Sequence, residues 1–285
     1  MTVYLSILAA CCFSVSHVMN RRGLVTSNAI TGSVFSISMS AITLWALVPF
    51  FVPLSSFWTS AIWYFVLGGI FAPGLGRMLN FMGIEKVGLA RSVPISNSSP
   101  MFASILAVLI MGETWTLQNF FGTTLVILGI VILSQRGTKQ TQWRRIDLIY
   151  PVMASFSFAI SSNLRKLGLL AEDIPLMAAA VTATTALLFV LTVLRVQGGR
   201  QAISLSRQSF GWFFVSGLFN TAAMLFVFYA LSFGKVVIVE PLISVNPVIS
   251  IFLSTIFLRD LEVITLRVMM GAACTVMGSI LVITV

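Results

Sequence analysis

Two charged residues, Arg77 and Glu240, lie inside long apolar segments of this 285-residue sequence. An ionisable group in such surroundings is costly and usually serves a function, so each is a candidate for binding a solute. A protonatable carboxyl at Glu240 would also couple that binding to a proton gradient. Two structural alternatives stay open. Arg77 lies about five residues from the end of its segment and can extend to water, and Glu240 can pair with Lys235.

The remaining candidates are neutral polar side chains within the same apolar segments. They can bind a solute through hydrogen bonds, or they can form hydrogen bonds between helices. His17, the only histidine, can relay protons or can pack through a single hydrogen bond. The full set is His17, Asn20, Asn80, Ser96, Asn97, Ser98, Asn163, Asn220, Tyr229, Ser244 and Asn246.

Two pairs of prolines predict interrupted helices. Pro94 and Pro100 are six residues apart in one segment, and Pro241 and Pro247 are six apart in another. Proline removes a backbone hydrogen bond and clashes with the carbonyl four residues back, so these segments can act as hinges. Within a membrane, an interrupted helix backbone is tolerated only where it is buried in protein or lines a water-filled cavity. The polar residues between the prolines are therefore predicted to line a cavity. The alternative is a kinked packing helix.

Composition places these residues in a membrane. The chain is 58% hydrophobic and 9% charged, whereas soluble domains are about 45–50% apolar and about 25% charged. This balance excludes a water-soluble enzyme and predicts an all-α polytopic membrane protein with ten transmembrane helices of about 20 residues each. The predicted spans are 3–20, 29–52, 60–82, 89–111, 116–134, 147–164, 175–195, 210–232, 236–258 and 264–284.

The two halves of the chain repeat one another. An odd number of helices in each copy means that the copies enter the membrane from opposite sides, so we predict two inverted-topology five-helix repeats. The predicted division is 1–134, a basic linker at 135–146, and 147–285. The matches are Asn20 and Arg22 with Asn163 and Arg165, Pro94, Pro100 and Glu113 with Pro241, Pro247 and Asp260, and Gly122 and Gly129 with Gly271 and Gly278.

The distribution of basic residues predicts the orientation. The formal net charge of +9 is concentrated on one side, where thirteen basic residues lie between the predicted spans. The other side carries only Arg165, Lys166 and Lys235. Cytoplasmic loops collect Lys and Arg, so the odd-numbered loops are predicted to be cytoplasmic and both termini outside, in the inner (plasma) membrane. The charge is thus explained by topology, and no nucleic-acid partner is predicted.

The glycines of the last span in each half are two helical turns apart. Such a face lets a neighbouring helix approach closely. We expect the fifth helix to pack against the tenth within one chain. The alternative is a homodimer through this face.

Each half ends in a Pro-x5-Pro helix, an acidic residue and a glycine-containing helix, as in PISNSSPMFASILAVLIMGE followed by GTTLVILGIVILS. This arrangement resembles the drug/metabolite transporter superfamily, in the branch with two EamA-type halves. The resemblance implies a ten-helix secondary transporter. The second half departs from it, because Arg259-Asp260 stands where the first half has Gly112-Glu113. Termini in this family are also often drawn as cytoplasmic, against the charge distribution here.

We therefore predict an exporter of a small metabolite, such as an amino acid or a related amphipathic solute, that works by alternating access through a central cavity. Cationic-drug export and organic-anion exchange are alternatives within the same superfamily. An intramembrane enzyme is the remote alternative, and we predict no enzyme activity because no catalytic motif is present. The predicted partners are the substrate, a coupling proton or counter-substrate, and the lipid bilayer. No cofactor or metal is predicted, since Cys11, Cys12 and Cys274 have no ligand spacing.

Overall fold

The computed structural model shows helices as the only regular secondary structure in the residues that it describes. The described residues are 1–27, 29–53, 59–87, 92, 95–134, 144–196, 204, 206–257 and 266–283. Each of the ten predicted spans coincides with one or more helices. Within these ranges, five helical segments are long and apolar enough to cross a membrane, namely Thr2–Asn20, Thr31–Phe51, Ile62–Asn80, Pro175–Arg195 and Arg207–Phe233.

The structure gives bounds for six helices and one π-helical turn in the first half. The first two spans are single helices, the third is divided at the π turn, and the described residues of the fourth are helical on both sides of a turn at Asn97 and Ser98. These elements are α1 (Thr2–Gly23), α2 (Ala29–Phe51), α3 (Ile62–Gly69), the π turn (Ile70–Leu75), α4 (Gly76–Val87), α5 (Ser99–Met111) and α6 (Leu117–Ser134).

The second half begins with a single 3-10 turn, Arg145–Leu148. The sixth, seventh, eighth and tenth spans are then single helices, and the ninth is divided into two. These elements are α7 (Ile149–Ala171), α8 (Pro175–Val196), α9 (Arg207–Phe233), α10 (Val236–Ile243), α11 (Asn246–Phe257) and α12 (Leu266–Ile283).

Both Pro-x5-Pro segments are interrupted at the positions between their prolines. A turn at Asn97 and Ser98 precedes α5, and a turn at Ser244 and Val245 separates α10 from α11. Pro100 is the second residue of α5, and Pro247 is the second residue of α11. Proline is tolerated there because the N–H groups of the first helical turn have no acceptor within the helix. Pro94 lies outside the described residues, and hinge motion remains a prediction.

The third span contains an interruption that the sequence analysis did not predict. Ala72 has the extended backbone angles φ −149 and ψ 126, and Pro73 follows it inside the π turn. The matched span of the second half, α9, runs without interruption from Arg207 to Phe233. The two repeats therefore differ at this point, and the additional break belongs to the first half alone.

The two halves run in opposite directions. Residue 2 lies at the end of the bundle where α10 begins, because a Cβ at Gly234 would come within 2.1 Å of Thr2 Cγ2. The start of α7 lies at the opposite end, where a Cβ at Gly83 would lie 3.0 Å from Pro151 Cδ. We call these the N-terminal end and the linker end. Since α1 starts at one end and α7 at the other, the repeat is inverted.

The fifth and tenth spans pack directly against each other through their glycines. A Cβ at Gly129 would lie 2.6 Å from the carbonyl oxygen of Gly271 and 2.2 Å from Thr275 Oγ1. A Cβ at Gly278 would lie 2.6 Å from the carbonyl oxygen of Gly122. A side chain at either position would force the two helices apart, so this glycine face is used within the chain.

Candidate functional site

Arg165 and Glu240 place opposite charges inside the helical bundle. Arg165, on α7, donates from Nη2 to the carbonyl oxygen of Ala72 at 2.7 Å, and its guanidinium lies 5.4 Å from the centre of the Phe228 ring. Glu240, on α10, accepts a hydrogen bond from the hydroxyl of Ser162. The two charged groups are close enough to interact electrostatically. This arrangement stabilises both charges within the bundle.

The position of Arg165 corrects the sequence analysis, which assigned Arg165 and Lys166 to an outer loop. The sixth span was predicted to end at 164, but α7 continues to Ala171. Lys166 is 7% exposed, and its Nζ donates to the carbonyl oxygen of Leu231 at 2.7 Å. The predicted span ended too early because hydropathy counts Arg165 and Lys166 as unfavourable in lipid. It takes no account of the groups that compensate their charges in the folded protein.

The interrupted third span supplies the acceptors for one polar face of α7. Ser157 Oγ donates to the carbonyl of Phe71 at 2.9 Å. Ser161 Oγ donates to the carbonyl of Gly68 at 2.7 Å. Ser157, Ser161 and Arg165 are spaced four residues apart, so they share one face of the helix. This spacing is the signal in the sequence that could have placed Arg165 inside the bundle.

A second polar cluster joins α4 to the interrupted fourth span. Ser96 Oγ donates to Asn80 Oδ1 at 2.7 Å, and Arg77 is three residues before Asn80 on the same helical face. Arg77 is the second residue of α4, which ends at Val87, so it lies farther from its helix end than the predicted span suggested. Among the described residues, Arg77 makes no side-chain hydrogen bond or ion pair.

His17 is close enough to Arg77 for an electrostatic interaction. Its ring stacks against Phe13, with a centroid distance of 6.2 Å, and its side chain is exposed on α1. His17 is therefore associated with the cluster of Arg77, Asn80 and Ser96 through Arg77.

The turns of the interrupted spans also carry polar contacts. Ser98 Oγ lies 3.1 Å from the hydroxyl of Ser155 on α7, and Asn97 is partly buried beside it in the same turn. Ser244 Oγ donates to the carbonyl of Glu240 at 2.9 Å. The carbonyl of Asn246 accepts from Ser14 Oγ at 2.8 Å. Both interruptions are thus bonded to helices of the opposite half or to their own preceding turn.

Asn163 and Asn220 make hydrogen bonds that link neighbouring helices. Asn163 is 2% exposed and donates to the carbonyls of Ala103 at 3.0 Å and Ala159 at 2.9 Å. Asn220 donates to Ser40 Oγ at 3.1 Å. These contacts are of the packing type, and a role for either residue in binding substrate remains a prediction.

Within the described residues, Asn20 and Tyr229 make no hydrogen bond to either polar cluster. Asn20 Oδ1 is buried without a hydrogen-bond partner in the described part of the chain, close to Gly32 on α2. Tyr229 lines a cavity of about 500 Å³ at the N-terminal end, together with Asp173 and Ser232.

Glu240 does not bond to Lys235, which was the structural alternative for this residue. The Nζ of Lys235 donates instead to Thr114 Oγ1 at 2.7 Å.

The arrangement is suited to binding a polar solute. It presents guanidinium, carboxylate, amide and hydroxyl groups from several helices, and such groups hold polar solutes within a membrane bundle. Within the described ranges, no group of three His, Cys, Asp or Glu residues could hold a metal ion.

Comparison with known proteins identifies the family. The EamA-like transporter family matches this chain twice, over residues 1–135 and 146–284. An uncharacterized protein of Methanocaldococcus jannaschii is 33% identical over 60 residues, which cover 21% of this chain and less than half, 44%, of that protein. A protein of known crystal structure has the same fold, with a TM-score of 0.81 at 13% identity over 99% of this chain and 98% of the other. The chain therefore belongs to the EamA-like transporter family, within the drug/metabolite transporter superfamily, and has two EamA-type halves.

Proposed function

We propose that this protein is a secondary transporter that exports a small polar metabolite, such as an amino acid, from the cytoplasm by alternating access. The observation that carries the proposal is the placement of Arg165, Glu240 and Ser162 inside a bundle of apolar helices, beside three interrupted spans. Charges in such a position are costly, so ionisable residues that are retained there usually mark the pathway of a solute or an ion. Interrupted helices at an inverted-repeat interface are the usual site of substrate binding in secondary transporters.

Glu240 is the group that we propose for coupling to the proton gradient. Its carboxylate is held by the neutral hydroxyl of Ser162 and by the field of Arg165. A protonated Glu240 would donate to Ser162 rather than accept from it, so proton binding changes a contact between α10 and α7. This exchange links the protonation state of Glu240 to the position of α10. It thereby links proton binding to the side of the membrane on which the binding site is open.

The two ends of the bundle carry hydrogen bonds that alternating access would break in turn. At the N-terminal end, Lys235 Nζ is bonded to Thr114 Oγ1 at 2.7 Å across the two halves. At the linker end, Thr26 Oγ1 lies 3.0 Å from Ser206 Oγ, again across the two halves. Exposed hydroxyl contacts of this kind contribute little stability each, so they can be exchanged for water at a small cost.

The orientation that we propose has the N-terminal end outside the inner (plasma) membrane. Since Arg165 and Lys166 lie within α7, they no longer count as loop charges on that side. Of the three basic residues first assigned to this side, Lys235 is then the one that remains in a loop. The excess of basic loop residues on the other side therefore increases, which strengthens the positive-inside argument. Transport toward the N-terminal end is therefore transport out of the cell.

Uptake and efflux by the purified protein in proteoliposomes test the proposal. The panel contains amino acids, nucleosides, organic anions and cationic drugs, each with and without an imposed pH gradient. We expect saturable transport of an amino acid or a related metabolite that responds to the gradient. Transport of cationic drugs alone would contradict the proposed substrate class, and transport of nothing in the panel would contradict the function.

The Glu240→Gln variant tests the coupling separately. Glutamine retains the shape and one acceptor oxygen for Ser162 but cannot bind a proton. We expect residual, gradient-independent exchange of the substrate that the wild-type protein transports. Full dependence on the pH gradient in this variant would exclude Glu240 as the coupling group.

A further inference from the structure

We infer that Arg77, together with Asn80, binds a carboxylate group of the transported solute. This inference rests on the proposed transport function and adds to it a substrate class and an orientation. The site is the cluster formed by Arg77 and Asn80 on α4 and by Ser96 on the interrupted fourth span.

The two interior guanidinium groups differ in their neutralisation. Arg165 has the carbonyl of Ala72 as acceptor and Glu240 as a nearby opposite charge. Arg77 has neither a bonded acceptor nor an ion-pair partner among the described residues. A guanidinium that no described residue compensates is unfavourable within a membrane bundle, and a bound anion would supply the opposite charge.

Asn80 is oriented by its neighbour to act as a donor. Its Oδ1 accepts from Ser96 Oγ at 2.7 Å, and Ser96 is 3% exposed. The amide nitrogen is therefore the end of Asn80 that remains for another partner. Because Arg77 and Asn80 are three residues apart on one helix, their side chains meet on the same face. A guanidinium beside an amide N–H is a donor set that suits a carboxylate.

Arg77 supplies the positive charge of the cluster. The nearby His17 adds no negative charge to the cluster. A cationic solute would be repelled here, so the cluster favours anionic or zwitterionic metabolites over cationic drugs.

The experiment measures KM and kcat in proteoliposomes for the amino acid that the wild-type protein transports best, and for its amide, which lacks the carboxylate charge. The variants are Arg77→Gln and Arg77→Lys. Arg195→Gln is the matched control, because Arg195 is an exposed arginine near the end of α8. We expect Arg77→Gln to raise KM for the amino acid about 10- to 100-fold with a much smaller effect on the amide. Arg77→Lys should restore part of the affinity, and Arg195→Gln should behave as wild type.

An unchanged ratio of the two KM values in Arg77→Gln would overturn the inference. If Arg77→Gln does not fold, the wild-type protein and Arg77→Lys are compared instead. A wild-type protein that transports the amino acid and its amide equally well contradicts the inference. Failure of the inference is distinct from failure of the proposed function. Wild-type transport that is confined to solutes without a carboxylate overturns the role of Arg77 and leaves a transporter, whereas wild-type vesicles that transport nothing contradict the function itself.

Discussion

Glu113 of the first half caps the helix that begins at Val236 in the second half. Its carboxylate accepts the backbone N–H of Val236 at 3.0 Å and that of Val237 at 3.1 Å. The first N–H groups of a helix have no acceptor within it, and a negative charge there also interacts favourably with the helix dipole. The acidic residue that follows the fourth span therefore fixes the start of α10, the helix that carries Glu240.

Replacement of Glu113 should destabilise the closed N-terminal end. Glu113→Ala removes both acceptors, and we expect a loss of about 0.5–2 kcal/mol, the usual cost of losing a cap. Glu113→Gln keeps one acceptor oxygen and should lose less. Detergent-solubilised variants can be compared by their apparent unfolding temperature, with Glu172→Gln in the 172–174 connection as a control. Equal stability of Glu113→Ala and wild type would show that the cap contributes nothing.

Arg165 and Glu240 should depend on each other energetically. Arg165→Met leaves Glu240 without its nearby positive charge, and Glu240→Gln leaves Arg165 without its negative one. In a double-mutant cycle, we expect the two effects to be non-additive, with a coupling energy of about 0.5–3 kcal/mol. Denaturant unfolding in mixed micelles, followed by tryptophan fluorescence, provides the free energies. Strict additivity would mean that the two charges are independent.

The glycine contact between α6 and α12 should not accept a side chain. A Cβ at Gly129 would lie 2.6 Å from the backbone oxygen of Gly271, so we expect Gly129→Ala to destabilise the protein by about 1–3 kcal/mol. Gly211→Ala is the matched control, because a Cβ at this helical position meets nothing within 4 Å. That variant should be neutral or more stable by up to about 1 kcal/mol, since alanine favours the helix. The order of the two unfolding temperatures checks the prediction, and the reverse order would contradict it.

The proposed orientation predicts which positions are accessible from outside the cell. In a variant without Cys11, Cys12 and Cys274, a cysteine at Thr114 lies at the N-terminal end and a cysteine at Gln208 lies at the linker end. Both positions are exposed. We expect a membrane-impermeant maleimide to label Thr114→Cys in intact cells and to label Gln208→Cys only after the cells are broken. The opposite pattern would invert the proposed topology and the direction of export.

The sequence by itself determined the ten spans, the inverted repeat, and the interruption of the fourth and ninth spans. These features follow from local properties. The hydropathy of about twenty consecutive residues decides whether a segment crosses lipid, and a proline disrupts its own helix whatever lies beside it. The close approach of α6 and α12 could also be expected, because glycine spacing is visible within each helix.

Only the tertiary structure decided the partners of the polar groups. Glu113 caps a helix that begins 123 residues later along the chain, and Arg165 bonds to a carbonyl that is free because the third span is broken at Ala72. Hydropathy assigned Arg165 to a loop because an isolated arginine is unfavourable in lipid. The structure places it inside because Glu240, Phe228 and that carbonyl compensate its charge there. Which groups compensate a charge depends on which helices lie side by side, and that is a property of the packed bundle rather than of any one segment.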